Sequence, residues 1–381
     1  MIGLFNDCFP PIMDGVSVAT SNYAYWLDKK GEDVCVITPT AASYTDNEAY
    51  PIYRYVSMPI PMRKPYRMGF PRIDWPFHRQ IDSIDFDLLH AHCPFSSGQL
   101  AMSIAHDRHV PLVATFHSKY RSDFERIIPS KFIINQMIGR IVSFYEKADE
   151  VWIPQASVEE TLREYGYKGR VEVVDNGNDF AGTYDEAERV EARKALGVRN
   201  DEILLLFVGQ HIWEKNLRFL LQAVSQISGL PFRMFFVGTG YAADELKELS
   251  RSLGLEGKVH FVGSITERYQ IRKYYLAADL FLFPSLYDNA PLVVREAAAL
   301  HTPSLMIEGS TAAAIITDGH NGFLSSASTS EYADRIKAVC RDRKLLDRVG
   351  REAASTLARS WEDIMGEVID RYHCIIKRYH A

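Results

Sequence analysis

Cysteine is scarce in this chain. Five cysteines are spread over 381 residues with no short spacing between any two: Cys8, Cys35, Cys93, Cys340 and Cys374. Structural zinc sites and small disulfide-bonded folds need closely spaced cysteines, so the sequence predicts neither. Scattered thiols are typical of a reducing compartment, and we expect a cytoplasmic protein.

Long apolar runs are also missing. No stretch approaches the roughly 20 apolar residues that a membrane-spanning helix needs. The first residues have neither the basic start nor the apolar centre of a signal peptide, and they are predicted to form a strand. The chain is therefore expected to cross no membrane.

The chain also lacks an excess of positive charge. The formal net charge is -6, whereas nucleic-acid phosphates are bound mainly by lysine and arginine, so we expect no nucleic-acid partner. Hydrophobic residues make up 47% and charged residues 24%, as in ordinary globular proteins. A chain of this length is expected to form two domains.

Short apolar runs alternate with longer segments of helical period, which is typical of parallel strands joined by crossover helices. Seven predicted strands form one sheet, at 2–6, 33–39, 53–58, 88–93, 112–117, 151–154 and 171–175. Five follow in a second series, at 203–209, 233–238, 259–263, 280–284 and 304–307. Residues 176–200 suit an interdomain connection, so we predict domains 1–178 and 179–360.

Two segments of the second half follow strands, where ligands of parallel sheets bind. In GQHIWEKN, residues 209–216, Lys215 lies beside the amides of a helix start and is interpreted as a phosphate ligand. The alternative is a solvated lysine. In FVGTG, residues 236–240, Gly238 and Gly240 allow a ligand close to the backbone, although such turns commonly contain glycine. No acidic residue stands where an NAD ribose would need one.

A third segment, PSLYDNAPLVVREAAAL at residues 284–300, predicts a strand end, a polar loop and a helix. Pro291 is expected in the first helical turn, capped by Asp288 or Asn289. Glu296 would then lie about a turn and a half inside, so that two carboxylates face one cleft and accept from sugar and ribose hydroxyls. A helix cap with a buried, backbone-bonded glutamate is the alternative.

The fourth candidate is a rim in the first half. Asp14 and Gly15 lie between the first strand and a predicted helix, where the backbone can approach phosphate. His90 and His92 in LHAHCPF and His117 in ATFHSKY end strands on the same rim. A lone histidine is more often structural, but three together favour function.

Together these segments resemble the family-4 retaining glycosyltransferases of the GT-B fold, over essentially the whole chain. The shared features are the glycine-containing loop after the first strand, HAHCPF, TFH, an N-G turn at Asn176-Gly177, a loop of the type G-R-x-x-x-E-K-N and a Glu-x7-Glu pattern. The resemblance implies an α/β GT-B architecture of two Rossmann-like domains facing across a cleft. It also implies that the last helix, 361–381, packs back on the first domain.

The same resemblance implies transfer of a hexose from a UDP- or GDP-linked sugar to an acceptor hydroxyl. By position, Lys215 would bind the diphosphate, Gly15 would approach it by its backbone, and His117 would lie near the transferred sugar. Asp288 would contact the sugar hydroxyls and Glu296 the ribose diol. The implied catalytic residues are His117, Asp288 and Lys215; the donor-binding residues are Gly15, Gln210, Lys215, Gly238, Gly240, Asp288, Asn289, Ala290, Pro291, Leu292 and Glu296; the acceptor-side residues are Asp14, His92 and Tyr120.

Two positions depart from the family pattern. Gln210 replaces the usual arginine and removes a positive charge, and Asp288 replaces a glutamate and is one methylene shorter. The resemblance further implies net retention, with the leaving phosphate accepting the acceptor's proton, and no metal or other cofactor. The string Asp85-Phe86-Asp87 looks like a metal-binding D-x-D, but it precedes a buried strand and lies at its wrong end.

Relatives in the family that glycosylate membrane lipids suggest one acceptor class, and soluble or polysaccharide acceptors are the other. Residues 54–79 combine aromatic side chains with six cations, Arg54, Arg63, Lys64, Arg67, Arg72 and Arg79, and Lys119 to Arg140 add more. Such segments suit an anionic membrane surface, which would make the protein peripheral on the inner face. Three other activities stay open: a sugar-nucleotide epimerase or hydrolase, a glycoside hydrolase using Asp288 and Glu296, and a noncatalytic binding module.

Overall fold

The computed structural model describes residues 1–41, 44–60 and 66–381. The chain divides into two compact units. Unit 1 comprises Met1–Gly177 and Trp361–Ala381, and unit 2 comprises Asn178–Ser360. The division lies one residue before the predicted boundary, and the last helix belongs to unit 1.

Fifteen strands occur in the described residues. In chain order they are β1 Ile2–Phe5, β2 Val34–Pro39, β3 Ile52–Tyr55, β4 Ser57–Pro59, β5 Arg67–Gly69, β6 Leu88–Ala91, β7 Leu112–Thr115, β8 Glu150–Ile153, β9 Glu172–Val173, β10 Ile203–Val208, β11 Phe232–Val237, β12 Val259–Gly263, β13 Leu280–Phe283, β14 Ser304–Ile307 and β15 Phe323–Ser325.

Fourteen α-helices connect and cover these strands in the same residues. They are α1 Gly15–Lys29, α2 Trp75–Ile81, α3 Ser96–Arg108, α4 Tyr120–Glu125, α5 Lys131–Tyr145, α6 Val158–Glu164, α7 Glu186–Ala195, α8 Leu217–Ser225, α9 Ala243–Ser252, α10 Arg268–Ala277, α11 Leu292–Ala299, α12 Thr329–Arg341, α13 Arg343–Leu357 and α14 Trp361–Tyr379. Short 3-10 turns occur at Pro71–Ile73, Trp213–Lys215 and Thr311–Ile315. No helix in the described ranges has both the length and the apolar character to cross a membrane.

Unit 1 contains a seven-stranded parallel sheet in the order β3-β2-β1-β6-β7-β8-β9. The strand order reverses direction between β1 and β6, so the loops after these two strands flank a topological switch point, where ligands of open α/β sheets bind. Gly15 follows β1 and His92 follows β6. The topology therefore places two of the predicted rim residues at this point.

Unit 2 contains a six-stranded parallel sheet in the order β12-β11-β10-β13-β14-β15. Its central strands are buried at every position, as in sheets covered by helices on both faces. The switch point lies between β10 and β13, and the loops after them carry Lys215 and Asp288. Two parallel sheets with crossover helices confirm the predicted α/β class.

The strand predicted at 53–58 was wrong, and β5 and β15 were not predicted. The predicted run 53–58 is divided between β3 of the large sheet and β4 of a separate antiparallel hairpin with β5. The division falls at Val56, whose N–H donates to the Asp74 carboxylate at 2.8 Å instead of to a neighbouring strand. Strand β15 was missed because three residues are too short to show a period.

Helix α14 is held in unit 1 by aromatic contacts. Trp361 meets the edge of Tyr23, and Tyr372 stacks on Trp152 with ring centroids 5.5 Å apart. A Cβ on Gly177 would lie 2.4 Å from the Cα of Trp361, so only glycine allows this approach. The N-G turn of the sequence thus has a packing role.

Candidate functional site

The loop after β10 presents Lys215 from a 3-10 turn. Asn216 ends this turn in the left-handed conformation, with φ of 61°, and α8 then begins. Lys215 is only 8% exposed, and its Nζ donates to both carboxylate oxygens of Asp288 at 2.7 and 2.8 Å. It is therefore a buried, ion-paired cation and not the solvated lysine of the alternative interpretation.

Asp288 is held from a second side by Ser285. The Ser285 hydroxyl donates to Oδ2 at 2.5 Å, and the same hydroxyl accepts from the N–H groups of Tyr287 and Asp288. The prediction that Asp288 or Asn289 caps the following helix is wrong, since no side chain caps it. Pro291 occupies the capping position, and α11 starts at Leu292. Asp288 is turned toward Lys215 because that cation offers it a stronger partner than a helix amide.

Glu296 lies in the second turn of α11 and is buried. Its Oε1 accepts from Arg268 Nη2 at 2.7 Å, and its Oε2 accepts from Tyr275 OH at 2.7 Å. Arg268 also pairs with Asp179 at 2.9 Å and lies over the ring of Phe180. The backbone-bonded glutamate of the alternative interpretation is therefore wrong, because side chains hold this carboxylate.

Sequence reasoning missed Arg268, Tyr275, Asp179 and Ser285. Burial beside Glu296 raises the pKa of Tyr275 well above its usual value, so its hydroxyl stays a donor. One signal was available for Arg268, which follows β12 and opens α10, at the same edge of the sheet as Lys215. Nothing in the local sequence distinguishes Tyr275 from the adjacent Tyr274, and Ser285 is a single hydroxyl between Pro284 and Leu286.

The glycines of FVGTG have an internal explanation. Gly238 has a φ of +138°, and a Cβ there would lie 2.0 Å from the carbonyl oxygen of Gly209. A Cβ on Gly240 would lie 2.4 Å from the carbonyl oxygen of His211. Both glycines are thus required for packing of this turn against the loop that begins with Gly209 and Gln210. Nearby, Asn289 is buried, while Ala290 and Leu292 are half-buried.

In unit 1, Asp14 caps α1 by accepting from the N–H of Ser17 at 2.8 Å. Burial raises the pKa of its carboxyl. Gly15 is the first residue of the helix, and a Cβ added there would meet no atom within 4 Å. Packing therefore does not require glycine at this position, in contrast to Gly238.

Three histidines at the ends of β6 and β7 form one cluster. His92 stacks on His90 with ring centroids 4.1 Å apart, and its Nδ1 is 3.2 Å from Nε2 of His117. His90 contacts the Tyr372 hydroxyl and, at 2.7 Å, the Thr115 hydroxyl. Burial lowers the pKa of His117 to about 4 and the pKa of both other histidines well below the usual value. All three are neutral near pH 7.

Two residues predicted to lie on the acceptor side, His92 and Tyr120, are buried. His92 is 1% exposed, behind His117, and so offers no surface to an acceptor. Tyr120 is a core residue, with its ring packed edge-on against Phe95 and Phe116. Both were given as acceptor-side residues by the resemblance, which carries over a position along the chain but not the direction of the side chain.

The basic and aromatic segment 54–79 is exposed only in part. Arg63 and Lys64 lie outside the described residues. Arg54 binds the Asp46 carboxylate and the carbonyls of Pro39 and Pro10, so it is structural. Arg67 donates to Ser57. Four exposed side chains lie in or just before α2, and we call them the α2 patch: Arg72, Ile73, Trp75 and Arg79.

The D-x-D string has a structural partner. Asp87 binds the amino-terminal ammonium group of Met1 beside the start of β1. In residues 1–41, 44–60 and 66–381, no group of three or more His, Cys, Asp or Glu side chains is arranged to hold a metal ion.

Two family models match this chain. "Glycosyltransferase Family 4" matches residues 13–181, and "Glycosyl transferases group 1" matches residues 188–356. The alpha-monoglucosyldiacylglycerol synthase of Acholeplasma laidlawii is 24% identical over 97% of this chain and 98% of its own. The enzyme of the same name from Streptococcus pneumoniae is 27% identical over 79% of this chain and 70% of its own.

Solved structures share the fold. The sucrose-phosphate synthase of Thermosynechococcus elongatus has a TM-score of 0.83 at 20% identity and covers 99% of both chains. HepE from Anabaena, crystallised with UDP and glucose, has a TM-score of 0.74 at 18% identity over 97% of this chain and 98% of its own. With its two parallel sheets and both family models in sequence, the chain is a glycosyltransferase of the GT-B fold, built from a Family 4 domain followed by a group 1 domain.

Proposed function

We propose that this glycosyltransferase moves a hexose from a UDP-linked donor to the hydroxyl of a membrane glycerolipid, with net retention at the anomeric carbon. The observation that carries the proposal is the Lys215–Asp288 pair at the switch point of unit 2. A single buried cation and a carboxylate stand together where parallel sheets bind ligands. They match the two ends of a nucleotide sugar, an anionic diphosphate and a hexose rich in hydroxyl donors.

The donor is assigned to unit 2 residue by residue. Lys215 neutralises the charge that grows on the β-phosphate as the anomeric C–O bond breaks. Asp288 accepts from the hexose hydroxyls. Glu296 accepts from the ribose diol with the remaining lone pairs of its two oxygens, while Arg268 and Tyr275 hold the carboxylate in place. We assign Gly15 to the diphosphate and His117 to the transferred sugar, as the resemblance implies.

Retention needs no protein nucleophile in this scheme. The acceptor oxygen attacks the face from which the phosphate departs, and a phosphate oxygen takes the acceptor's proton. We propose that no metal ion is required, because Lys215 already supplies positive charge to the leaving group. Asp288 and Glu296 are each held by cations or by a hydroxyl, which disfavours their use as the acid and nucleophile of a glycoside hydrolase.

The choice of donor and acceptor rests on the relatives. HepE binds UDP and glucose, and two relatives are named for the synthesis of a glucosyldiacylglycerol. The α2 patch adds support from this chain: Ile73 and Trp75 are 70% and 76% exposed beside two arginines, a combination that suits an anionic membrane surface. Phe132 of α5 is similarly exposed.

The test compares labelled UDP-glucose, GDP-mannose and ADP-glucose with vesicles that contain diacylglycerol and with soluble sugar acceptors. We expect transfer from UDP-glucose to diacylglycerol, and a first product whose anomeric proton has the coupling of the donor's α-configuration. Transfer only to soluble sugars would overturn the lipid acceptor. Release of free sugar or an isomer without any acceptor would instead favour the hydrolase or epimerase alternative.

Membrane docking is tested separately by co-sedimentation with anionic vesicles. The variant R72E/W75A should sediment less than the native protein, while R199E, on an exposed loop of unit 2, serves as the matched charge control. Absence of native binding even at low salt would contradict a peripheral membrane location.

A further inference from the structure

A groove of about 480 Å³ lies on unit 1 between α3, α4 and α5. Buried Phe124, Ile141 and Phe144 line it, together with Met102 and Met137, which are half-buried. We call it the α3–α5 groove. Small-molecule sites in proteins typically enclose about 300–1,000 Å³ and are lined mainly by apolar side chains. The α3–α5 groove has that size and that character.

One end of the groove belongs to the edge of the sheet where ligands bind. Pro94 and Phe95, in the loop between β6 and α3, line it, and this loop begins with His92 at the switch point. Phe95 is 40% exposed and packs edge-on against Phe124. From this loop the groove continues along α3 and α5 as far as Lys147. A bound chain would therefore have one end at the switch point of unit 1.

The charges beside the groove are of one sign. Among the described residues that line it, Arg140 and Lys147 are cations and none is a carboxylate. Both side chains are exposed, and neither forms an ion pair with a described residue. Exposed lysine and arginine side chains are attracted to the anionic head groups of a membrane leaflet. An apolar groove bordered by such cations thus matches the two parts of a membrane lipid, its acyl chain and the phosphate layer.

Helix α3 also connects the groove with the α2 patch. The helix lines the groove with Met102, and it contacts the 3-10 turn Pro71–Ile73, which carries Arg72 and Ile73 of the patch. Two surfaces that combine apolar and basic side chains therefore border the same helix. This continuity favours a lipid over a soluble molecule as the occupant of the groove.

We propose that the α3–α5 groove binds one acyl chain of the glycerolipid acceptor. The glycerol end of the chain lies at Pro94 and Phe95, and Arg140 and Lys147 contact the phosphates of the surrounding leaflet. The inference rests on the proposed function, because it takes a lipid as the acceptor. It adds the place where the chain is held, which sets how far the acceptor hydroxyl projects toward the transferred sugar.

The kinetic test compares dihexanoyl glycerol with dioctanoyl glycerol, both dissolved below the concentration at which they aggregate. We expect kcat/KM about tenfold higher for the longer acceptor, since its bound chain buries two more methylene groups at about three- to fourfold each. Ser143→Phe puts a ring into the groove and should abolish this preference, with the KM for UDP-glucose unchanged. Gln136→Phe, on the exposed face of α5 outside the groove, should keep it.

The outcomes separate this proposal from the function on which it rests. Transfer to neither glyceride would overturn the lipid acceptor itself, and the groove's role with it. Transfer to both glycerides with equal kcat/KM, or a chain-length preference that Ser143→Phe retains, would overturn the groove alone and leave the proposed function standing. Should Ser143→Phe fail to fold, Met137→Trp fills the same groove from another position of α5.

Binding without catalysis is measured by titration calorimetry with dioctanoyl glycerol and no donor. The native protein should bind with a negative change in heat capacity, the mark of apolar burial, and Ser143→Phe should not bind. If the native protein instead formed a dimer that Ser143→Phe dissociates, a second copy would occupy the groove and the proposal would fall.

The role of the two cations is tested by partition onto anionic vesicles. R140Q/K147Q should partition about tenfold less than the native protein at low salt, and the difference should shrink at high salt. R341Q/K344Q removes two exposed cations from unit 2 and should partition as the native protein does. Equal partition of the two double variants would overturn the contact of Arg140 and Lys147 with the leaflet.

Discussion

Lys215 and Asp288 are 73 positions apart in the chain and form a two-point contact, with Nζ at 2.7 and 2.8 Å from the two carboxylate oxygens. They meet because β10 and β13 are neighbours in the sheet, although two strands separate them in sequence. Each satisfies the charge of the other. On the proposed function, donor binding separates the pair, so that Lys215 contacts the phosphate and Asp288 contacts the sugar hydroxyls.

Substitution of Lys215 and substitution of Asp288 should have different effects on the kinetics with the donor. Lys215→Ala should lower kcat by about a hundredfold or more, since it removes a charge aimed at the leaving group. Asp288→Asn should raise the KM for the donor more than it lowers kcat, since it weakens bonds made in the ground state as well. Steady-state kinetics with UDP-glucose measures both.

Ser285→Ala measures how much the Ser285 hydrogen bond contributes to the orientation of Asp288, and it serves as a control for Lys215→Ala. It removes only the hydroxyl that donates to Oδ2, and we expect a loss of about two- to tenfold, as for one hydrogen bond. A loss as large as that of Lys215→Ala would contradict the view that the cation is the main group for catalysis.

Tyr275→Phe should weaken donor binding through Glu296. The variant keeps the ring and removes the hydroxyl that holds Oε2 of Glu296. We expect an affinity for UDP about two- to tenfold lower in calorimetry and an unchanged preference among hexoses, since Glu296 is assigned to the ribose. Tyr332→Phe, which loses a buried hydroxyl bonded to the Leu305 carbonyl away from this cluster, is the matched control.

Two glycine substitutions should separate ligand contact from packing. Gly15→Ala meets open space, so its thermal midpoint should equal the native value while activity falls, because a methyl group would stand where the diphosphate is proposed to approach. Gly238→Ala would place its Cβ 2.0 Å from a carbonyl oxygen at a φ of +138° and should unfold at lower temperature. Full activity of Gly15→Ala would contradict the role assigned to this backbone.

Stability of unit 2 should depend strongly on Asp279. This buried carboxylate accepts from Arg189, Arg193 and Arg343 and from the N–H of Leu204. Asp279→Asn leaves three arginines without their counter-charge, and we expect a loss of about 3–5 kcal/mol in the free energy of unfolding. Urea titration measures it. Asp347→Asn, in an exposed pair with Arg351, should change stability little.

Acid should destabilise the histidine cluster. Since the folded-state pKa of His117 is about 4, below the ordinary value of 6.5, the unfolded chain binds a proton that the folded chain does not. His90 and His92 shift in the same direction. Their contributions are complete above about pH 6.5 and are lost as the pH falls toward 4. Thermal midpoints from pH 8 to 5 should decline, and less steeply in His117→Leu.

Much of the fold followed from sequence because buried parallel strands read as continuous apolar runs. The runs at β10 and β14 were located within a residue, whereas β4, β5 and β15, of three residues each, are too short to show a period. The loop that carries Lys215 and the helix α11 could be located because each follows a strand that is apolar at every position, β10 and β13. His92 and Tyr120 were misjudged because position along a chain does not give the direction of a side chain.

By itself, the sequence determined the α/β class, the two-unit division near Asn178 and the loops that carry Lys215, Asp288 and Glu296, since periodicity and turn residues act over short stretches. Tertiary structure alone decided that Lys215 pairs with Asp288, that Arg268 and Tyr275 hold Glu296, and that His92 lies behind His117. Those pairings join residues 21 to 73 positions apart. The order of strands in each sheet and the packing of α10 against α11 bring such residues within hydrogen-bonding distance, and no local pattern encodes either.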